Sequence, residues 1–336
     1  MLTKSEIESS VYSPVEKELE RVALALLSIA EDGDASELRD EEEIENMLQH
    51  ILAAPGKRVR PAITLLTSKL WGADPTDHVI TMAAAVELLH VATLVHDDMV
   101  DSADLRRGRA TASNLWGGRV AVLLGDYLFA ASATFVCDTG NVRVVRRFAE
   151  TIMELSRGEL TELLLSSNEN HPRDAYLRRI YNKTASLFTT AAETGAMLSG
   201  AAESDVEHMH RFGYNLGMAY QVMDDVLDFT SDSEELGKPT CNDLRQGILT
   251  LPSIMLLERM PGDNPVSDLL KSAPDDREIH LVKAVDLIRE TGILDECIVV
   301  ADDYAASGAA ELEDFDPSEA RTSLAALANF ASNRLH

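Results

Sequence analysis

Six aspartates stand in two short clusters of the same form, Asp97-Asp98-Met99-Val100-Asp101 and Asp224-Asp225-Val226-Leu227-Asp228. On a helix, the first and last members of each cluster lie four residues apart and project from one face, with the second aspartate three residues from the last. Carboxylates so placed repel each other, by roughly a few tenths of a kcal/mol per exposed pair and by more when partly buried, so a cation should compensate them. Oxygen donors alone select a hard ion. Octahedral magnesium, which keeps several waters and bridges to phosphate, suits them, whereas the spacing of a calcium loop is absent. One such cluster could be a solvated acidic helix end. Two copies, each closing an apolar stretch, point to a metal.

Two basic islands accompany the first cluster: Arg106-Arg107-Gly108-Arg109 just after it, and Gly56-Lys57-Arg58-Val59-Arg60-Pro61 well before it. The chain carries 57 acidic against 30 basic residues, a formal charge of −27, so an anionic ligand is welcome only where cations are gathered. Guanidinium forks and a lysine suit phosphate oxygens, and the glycine in each island lets backbone approach an anion. Carboxylate-bound magnesium beside such cations describes a site for a polyanionic leaving group such as diphosphate. Nucleic acid is excluded as a partner, since it needs a broad basic footprint.

The elements that hold these residues must be helical. Of the 336 residues, 45% are hydrophobic and only 5% aromatic, and β-branched alternation is scarce. Apolar residues recur at three-to-four spacing over Ser13–Ala30, Glu41–Ala54, Arg60–Trp71 and Val79–Asp101. Breaks are expected at Glu31–Ala35, Pro55-Gly56, Gly72–Asp77, Gly117-Gly118, Asn168–Pro172, Ser231–Pro239 and Met260–Pro265. The stretch from Ala83 to Val95 is apolar around nearly its whole circumference, as in a helix buried on most sides. Cys137, Cys241 and Cys297 are far apart and odd in number, which suggests neither disulfides nor zinc and fits a reducing cytoplasm. No uninterrupted apolar run of membrane-spanning length is found, so no transmembrane segment is expected.

The runs PGKRVRP, ELLHVATLVHDDMVDSADLRRGRAT, NKTASLF, YQVMDDVLDF and GKPTCNDLRQGILTLP, in this order, resemble those of the trans-isoprenyl diphosphate synthases, and the C-terminal LIRETGILDECIVVADDYAASGAAEL is similar to that family's last helices. The resemblance covers nearly the whole chain. It implies an all-α fold, a single large helical bundle around a deep central cavity (the isoprenoid synthase fold), with one domain over 1–336 and core motifs over about 55–252. It further implies a homodimer that condenses isopentenyl diphosphate with an allylic diphosphate, with no nucleic acid partner, in the cytoplasm, and a product handed on to a membrane.

By the same resemblance Asp97 and Asp101 hold two magnesium ions and Asp224 a third on the allylic diphosphate, with Asp98, Asp225 and Asp228 supporting. Arg106, Lys183, Thr184, Gln221 and Lys238 complete the allylic site, and Lys57, Arg60, His90 and Arg107 take isopentenyl diphosphate. His90 lies two helical turns before Asp97 on the same face, whereas His96 reads as a packing or supporting residue. Ile248 follows the DLRQG run where many members carry lysine, which removes one cation from the expected allylic site. Ala92 and Thr93, small residues about a turn before Asp97, leave a product tunnel unplugged and imply a long chain, about six or more isoprene units. Phe129, Phe135 or Met153 could plug such a tunnel from neighbouring helices. The rival readings are a short-chain farnesyl or geranylgeranyl synthase, a terpene cyclase, disfavoured by the second D-D-x-x-D, and a non-catalytic subunit of a heteromeric synthase.

Overall fold

Good helix formers spaced at three and four dominate the chain, and helices result almost throughout. The computed structural model describes residues 10–31, 39–54, 56–106, 108–165, 173–230, 241–273 and 276–332. Its helices are α1 (Glu16–Glu31), α2 (Arg39–Leu52), α3 (Val59–Ser68), α4 (Asp77–Val100), α5 (Ala112–Trp116), α6 (Gly118–Asp138), α7 (Val142–Leu165) and α8 (Arg173–Ile180). After a π-turn over Tyr181–Ala185 come α9 (Ser186–Leu198), α10 (Glu203–Thr230), α11 (Asn242–Gln246), α12 (Leu251–Arg259), α13 (Pro265–Lys271), α14 (Arg277–Glu290), α15 (Ile293–Ala310) and α16 (Glu319–Ser332). The four helices read from periodicity appear within three residues of their expected limits, with 3₁₀ turns over Ser13–Val15 opening the first and over Lys69–Trp71 closing the third. The expected breaks near residues 31–35, 55, 168–172 and 231–239 lie wholly or partly outside the described residues.

One element departs from the all-helical expectation. Leu105–Arg106 (β1) and Arg109–Ala110 (β2) form a small antiparallel hairpin, with Leu105 opposite Ala110 and Arg106 opposite Arg109. Its turn uses Gly108 at φ 76°. Two residues per strand are too few to leave an alternating pattern in the sequence.

The chain forms two compact units, each drawn from three separate stretches. The first comprises Met1–Ala149, Thr190–His210 and Phe315–Leu324. Its centre is α4, whose residues from Met82 through Leu89 are all buried and which packs against α1, α3, α5 and α6. Against α6 the approach is close: a Cβ on Gly125 would lie 2.2 Å from His96 Nε2, and that nitrogen sits 3.1 Å from the Val122 carbonyl. His96 is therefore a packing residue, as its sequence context suggested.

The second unit comprises Glu150–Thr189, Arg211–Asp314 and Ala325–His336. Its core gathers Tyr176, Met218, Val222, Val226, Phe229, Leu244 and Cys297 among others. Here a glycine step positions the chemistry. A Cβ on Gly213 would stand 2.6 Å from Thr189 Cα, and one on Gly217 2.5 Å from Ala185 Cα, so α10 lies with its backbone directly on α9 and the π-turn. Gln221 and Asp225 continue that stripe at four-residue steps. Gly217→Ala is expected to destabilise the protein by about 1–3 kcal/mol through overpacking, read as an earlier midpoint in denaturant unfolding; an unchanged midpoint would refute the close contact.

All three cysteines are free thiols, Cys137 exposed and the other two buried. Charged residues interrupt every apolar run, yet α4 and α6 are each long and apolar enough by length and composition to cross a membrane. Two-thirds of the apolar stretch of α4 is buried inside the protein, as in a core helix, against one-third for α6.

Candidate active site

In the first unit the aspartate cluster closes α4, with Asp101 as its C-cap residue. The backbone dipole is negative there, so three carboxylates at this end add to a field that already disfavours them. Asp98 is buried and its Oδ1 accepts from Arg106 Nε at 2.6 Å. Asp97 is half-buried and Asp101 exposed, which leaves the four-apart pair as the open face. The hairpin that carries Arg106 is clamped from behind: His50 of α2 has Nε2 3.2 Å from the Ala110 carbonyl and Nδ1 3.1 Å from Arg109 Nη2. His50 thus donates at Nε2 and accepts at Nδ1, a neutral imidazole holding the second strand.

Lys57, exposed, lies just before the start of α3, and Arg60, half-buried, lies in its first turn. Cations at a helix N-terminus are disfavoured unless an anion joins them. Arg58 between them takes φ 48°, and Ser102, directly after Asp101, takes φ 53°. Left-handed conformations cost a non-glycine residue about 1 kcal/mol and collect at functional segments. His90 is half-buried on α4, and its carbonyl accepts the Thr93 hydroxyl at 2.8 Å. Ala92 is fully buried and Thr93 half-buried. Arg107 lies outside the described residues.

In the second unit the glycine stripe divides the labour of the other cluster. Asp225, on the stripe, is buried, while Asp224 and Asp228 on the adjoining face are half-buried. Both Asp225 oxygens are engaged: Gln221 Nε2 donates to Oδ1 at 2.8 Å and the Tyr176 hydroxyl to Oδ2 at 2.6 Å. Thr184 Oγ1 in turn donates to Gln221 Oε1 at 2.6 Å. Each cluster therefore repeats one plan, a buried second aspartate tied into the protein and a more open first and last.

Lys183, expected at the allylic diphosphate, lies in the π-turn with Nζ 2.6 Å from Glu162 and 3.0 Å from Glu159 of α7. Burial lowers its pKa, but the two glutamates outweigh that and hold the ammonium charged well above the usual lysine range. The π-turn can sit this close because residue 158 is glycine; a Cβ there would be 2.8 Å from Lys183 N. Glu162 also stands 3.6 Å from Arg179 Nε. Lys238 lies outside the described residues.

Burial raises the pKa of Asp225 to about 6 and that of Asp243 to about 7, the latter also through Asp225, Asp228 and Glu162. Asp228 is raised too, again by burial, although backbone donors at Asn242, Asp243 and Cys241 oppose the shift. Asp228 Oδ2 is buried without a hydrogen-bond partner among the described residues. An excess of buried carboxylate with an unsatisfied oxygen is what a divalent cation would correct. Among the described residues no three His, Cys, Asp or Glu side chains converge as a closed metal cage. Magnesium needs none: it takes one or two carboxylates and completes its shell with water and substrate phosphate. The donors fit that ion.

Sequence reasoning did not single out Tyr176, Glu159, Glu162, Asp243 or His50. Gly158 followed by two glutamates three residues apart was the available signal for the pair on α7.

The family model described as Polyprenyl synthetase matches residues 41–288. Heptaprenyl diphosphate synthase component 2 of Geobacillus stearothermophilus is 36% identical over 305 residues, spanning 88% of this chain and 94% of that protein. A polyprenyl synthase from Caulobacter crescentus, solved in complex with calcium and isoprenyl diphosphate, superposes with a TM-score of 0.86 at 34% identity, over 97% of this chain and 98% of the other. A geranylgeranyl pyrophosphate synthase from Lactobacillus brevis follows with a TM-score of 0.85 at 29% identity, over 96% and 97%. With both aspartate clusters in place on helices of the isoprenoid synthase fold, and the family match spanning most of its length, the chain belongs to the polyprenyl synthetase family.

Proposed function

We propose that the protein is a trans-prenyltransferase that condenses isopentenyl diphosphate with an allylic diphosphate to give a long-chain all-trans polyprenyl diphosphate. The observation that carries this reading is the repeated plan of the two clusters, in which a buried aspartate is anchored and its first and last neighbours are more exposed. Asp97, Asp101 and Asp224 would hold magnesium, with Asp228 in support; when bound, the ion draws charge from the departing diphosphate and eases breakage of the carbon–oxygen bond. Arg106 is held at the first cluster by Asp98 and offers its remaining donors to phosphate oxygens. Lys183 and Thr184 take the allylic diphosphate, with Lys183 exchanging Glu159 and Glu162 for the ligand. Lys57, Arg60 and His90, with Arg107, bind isopentenyl diphosphate, and Lys238 joins the allylic site. Ionisation leaves an allylic cation, the isopentenyl double bond attacks it, and the proton lost from the adduct goes to the released diphosphate. No side-chain base is needed.

The name of the heptaprenyl relative supports a long product, and small Ala92 and Thr93 agree with it. That relative is also a component of an enzyme, which keeps a heteromeric arrangement as the second reading. A homodimer is favoured by exposed apolar side chains, Leu123 and Tyr127 on α6, and Met153, Leu160 and Leu164 on α7, which association would cover. We place the enzyme in the cytoplasm, from where its product would pass to a membrane.

The test is turnover by the purified chain alone, with magnesium, isopentenyl diphosphate and either farnesyl or geranylgeranyl primer. Extracted products longer than geranylgeranyl are expected. A dominant geranylgeranyl product would overturn the long-chain reading, and no turnover on any allylic primer would favour the subunit.

A further inference from the structure

Asp225 was expected among the metal ligands, yet its surroundings describe another task. It is 3% exposed, and each oxygen already accepts a short hydrogen bond, from Gln221 and from Tyr176. Tyr176 is equally buried at 2% and comes from α8, 49 residues away in sequence. The four groups form a directed chain of three hydrogen bonds. The Tyr176 hydroxyl donates to Asp225, Gln221 donates to Asp225 through its nitrogen, and Thr184 donates to the Gln221 oxygen.

The direction follows from the carboxylate. A carboxylate only accepts, so it forces the amide nitrogen of Gln221 toward itself and the amide oxygen away. That oxygen then takes the Thr184 proton. The hydroxyl of Thr184, next to Lys183 in the π-turn, is thereby fixed by a group two bonds further inside the protein. Without a partner at Oδ2, Asp225 could turn and loosen its hold on the Gln221 amide.

We propose that Tyr176 is a positioning residue for the diphosphate end of the site, acting through Asp225 and Gln221 on Thr184. Asp225 serves as the buried hub of this chain rather than as a metal ligand. The inference rests on the proposed function only in assigning Thr184 and Lys183 to diphosphate. Its physical content is the coupling of a buried phenol to anion binding at the π-turn. Tyr176 differs here from Tyr304, whose half-buried phenol is coupled to Tyr214.

Tyr176→Phe removes one hydroxyl and keeps the buried ring. Binding of inorganic pyrophosphate in the presence of magnesium, read by calorimetry, is expected to weaken about tenfold, the loss usual for a hydrogen bond to a charged group. Thr184→Val cuts the same chain at its other end, so adding Tyr176→Phe to it should bring no further loss. Additive losses, or affinity within twofold of the parent for Tyr176→Phe, would overturn the proposal. If Tyr176→Phe melts well below the parent, Asp225→Asn cuts the chain at its centre, and the same weakening and the same non-additivity with Thr184→Val are required. Wild-type turnover is scored separately. A protein that binds magnesium pyrophosphate in this Tyr176-dependent way but condenses no substrates would keep this inference and sink the functional one.

Discussion

Replacing Asp97 or Asp224 by alanine is expected to lower turnover by about a hundredfold or more while leaving the helical circular dichroism and the cooperative unfolding transition in place. The fold does not depend on the open members of the clusters. α4 is held by the buried run from Met82 to Leu89, and α10 by its glycine stripe against α9 and the π-turn. Both sets of contacts lie outside the carboxylates. Charge at the end of α4 acts against the helix dipole, an effect of about 0.3–1 kcal/mol per group. Asp101→Ala should therefore hold or slightly raise the melting temperature while activity falls. Stability and function then move in opposite directions, which separates a ligand role from a structural one. Asp98→Ala provides the contrast. It strips a 2.6 Å partner from Arg106 and should lower both. Full activity in Asp97→Ala and Asp224→Ala would remove the basis for the metal assignment.

What sequence alone could show follows from how far each interaction reaches along the chain. The clusters were legible because helical spacing itself places Asp97 with Asp101, and Asp224 with Asp228, on one face. α4 was legible as a buried helix because its apolar character runs all the way round. The partition within each cluster was not, since it depends on neighbours remote in sequence: Asp98 is buried against a hairpin too short to pattern, and Asp225 against Tyr176. Lys183 was recognised from its motif, but its pairing with Glu159 and Glu162 requires the π-turn, and the π-turn depends on Gly158 to sit against α7. The charge balance pointed to the same place. A chain at −27 can hold anions only where its cations are gathered, and the structure holds Lys183 between Glu159 and Glu162, the pairing that the proposed diphosphate role would exchange.

Ala92→Phe is expected to shift the product to a shorter chain, by several isoprene units, with little loss of the first condensation. Ala92 has no exposed surface and lies five residues before Asp97 on the helix that ends in the first aspartate cluster. Two environments could bury a methyl group so completely. In a close-packed core a phenyl ring would overpack the site and cost about 1–3 kcal/mol. Against the path of a growing hydrocarbon, the ring would instead occupy space that the later isoprene units need, and the fold would keep its stability. Product length and melting temperature measured on the same preparation distinguish the two. A shortened product at an unchanged melting temperature places Ala92 on the product's path. An unchanged product with a lowered melting temperature would place it in the core and move the control of length to another side chain, with Phe129 and Phe135 of α6, both partly buried, the next to be replaced. Thr93→Phe tests the neighbouring position independently. Thr93 is only half-buried and stands one helical turn from Asp97 on its own face, so a ring there should shorten the product further and reduce the first condensation as well.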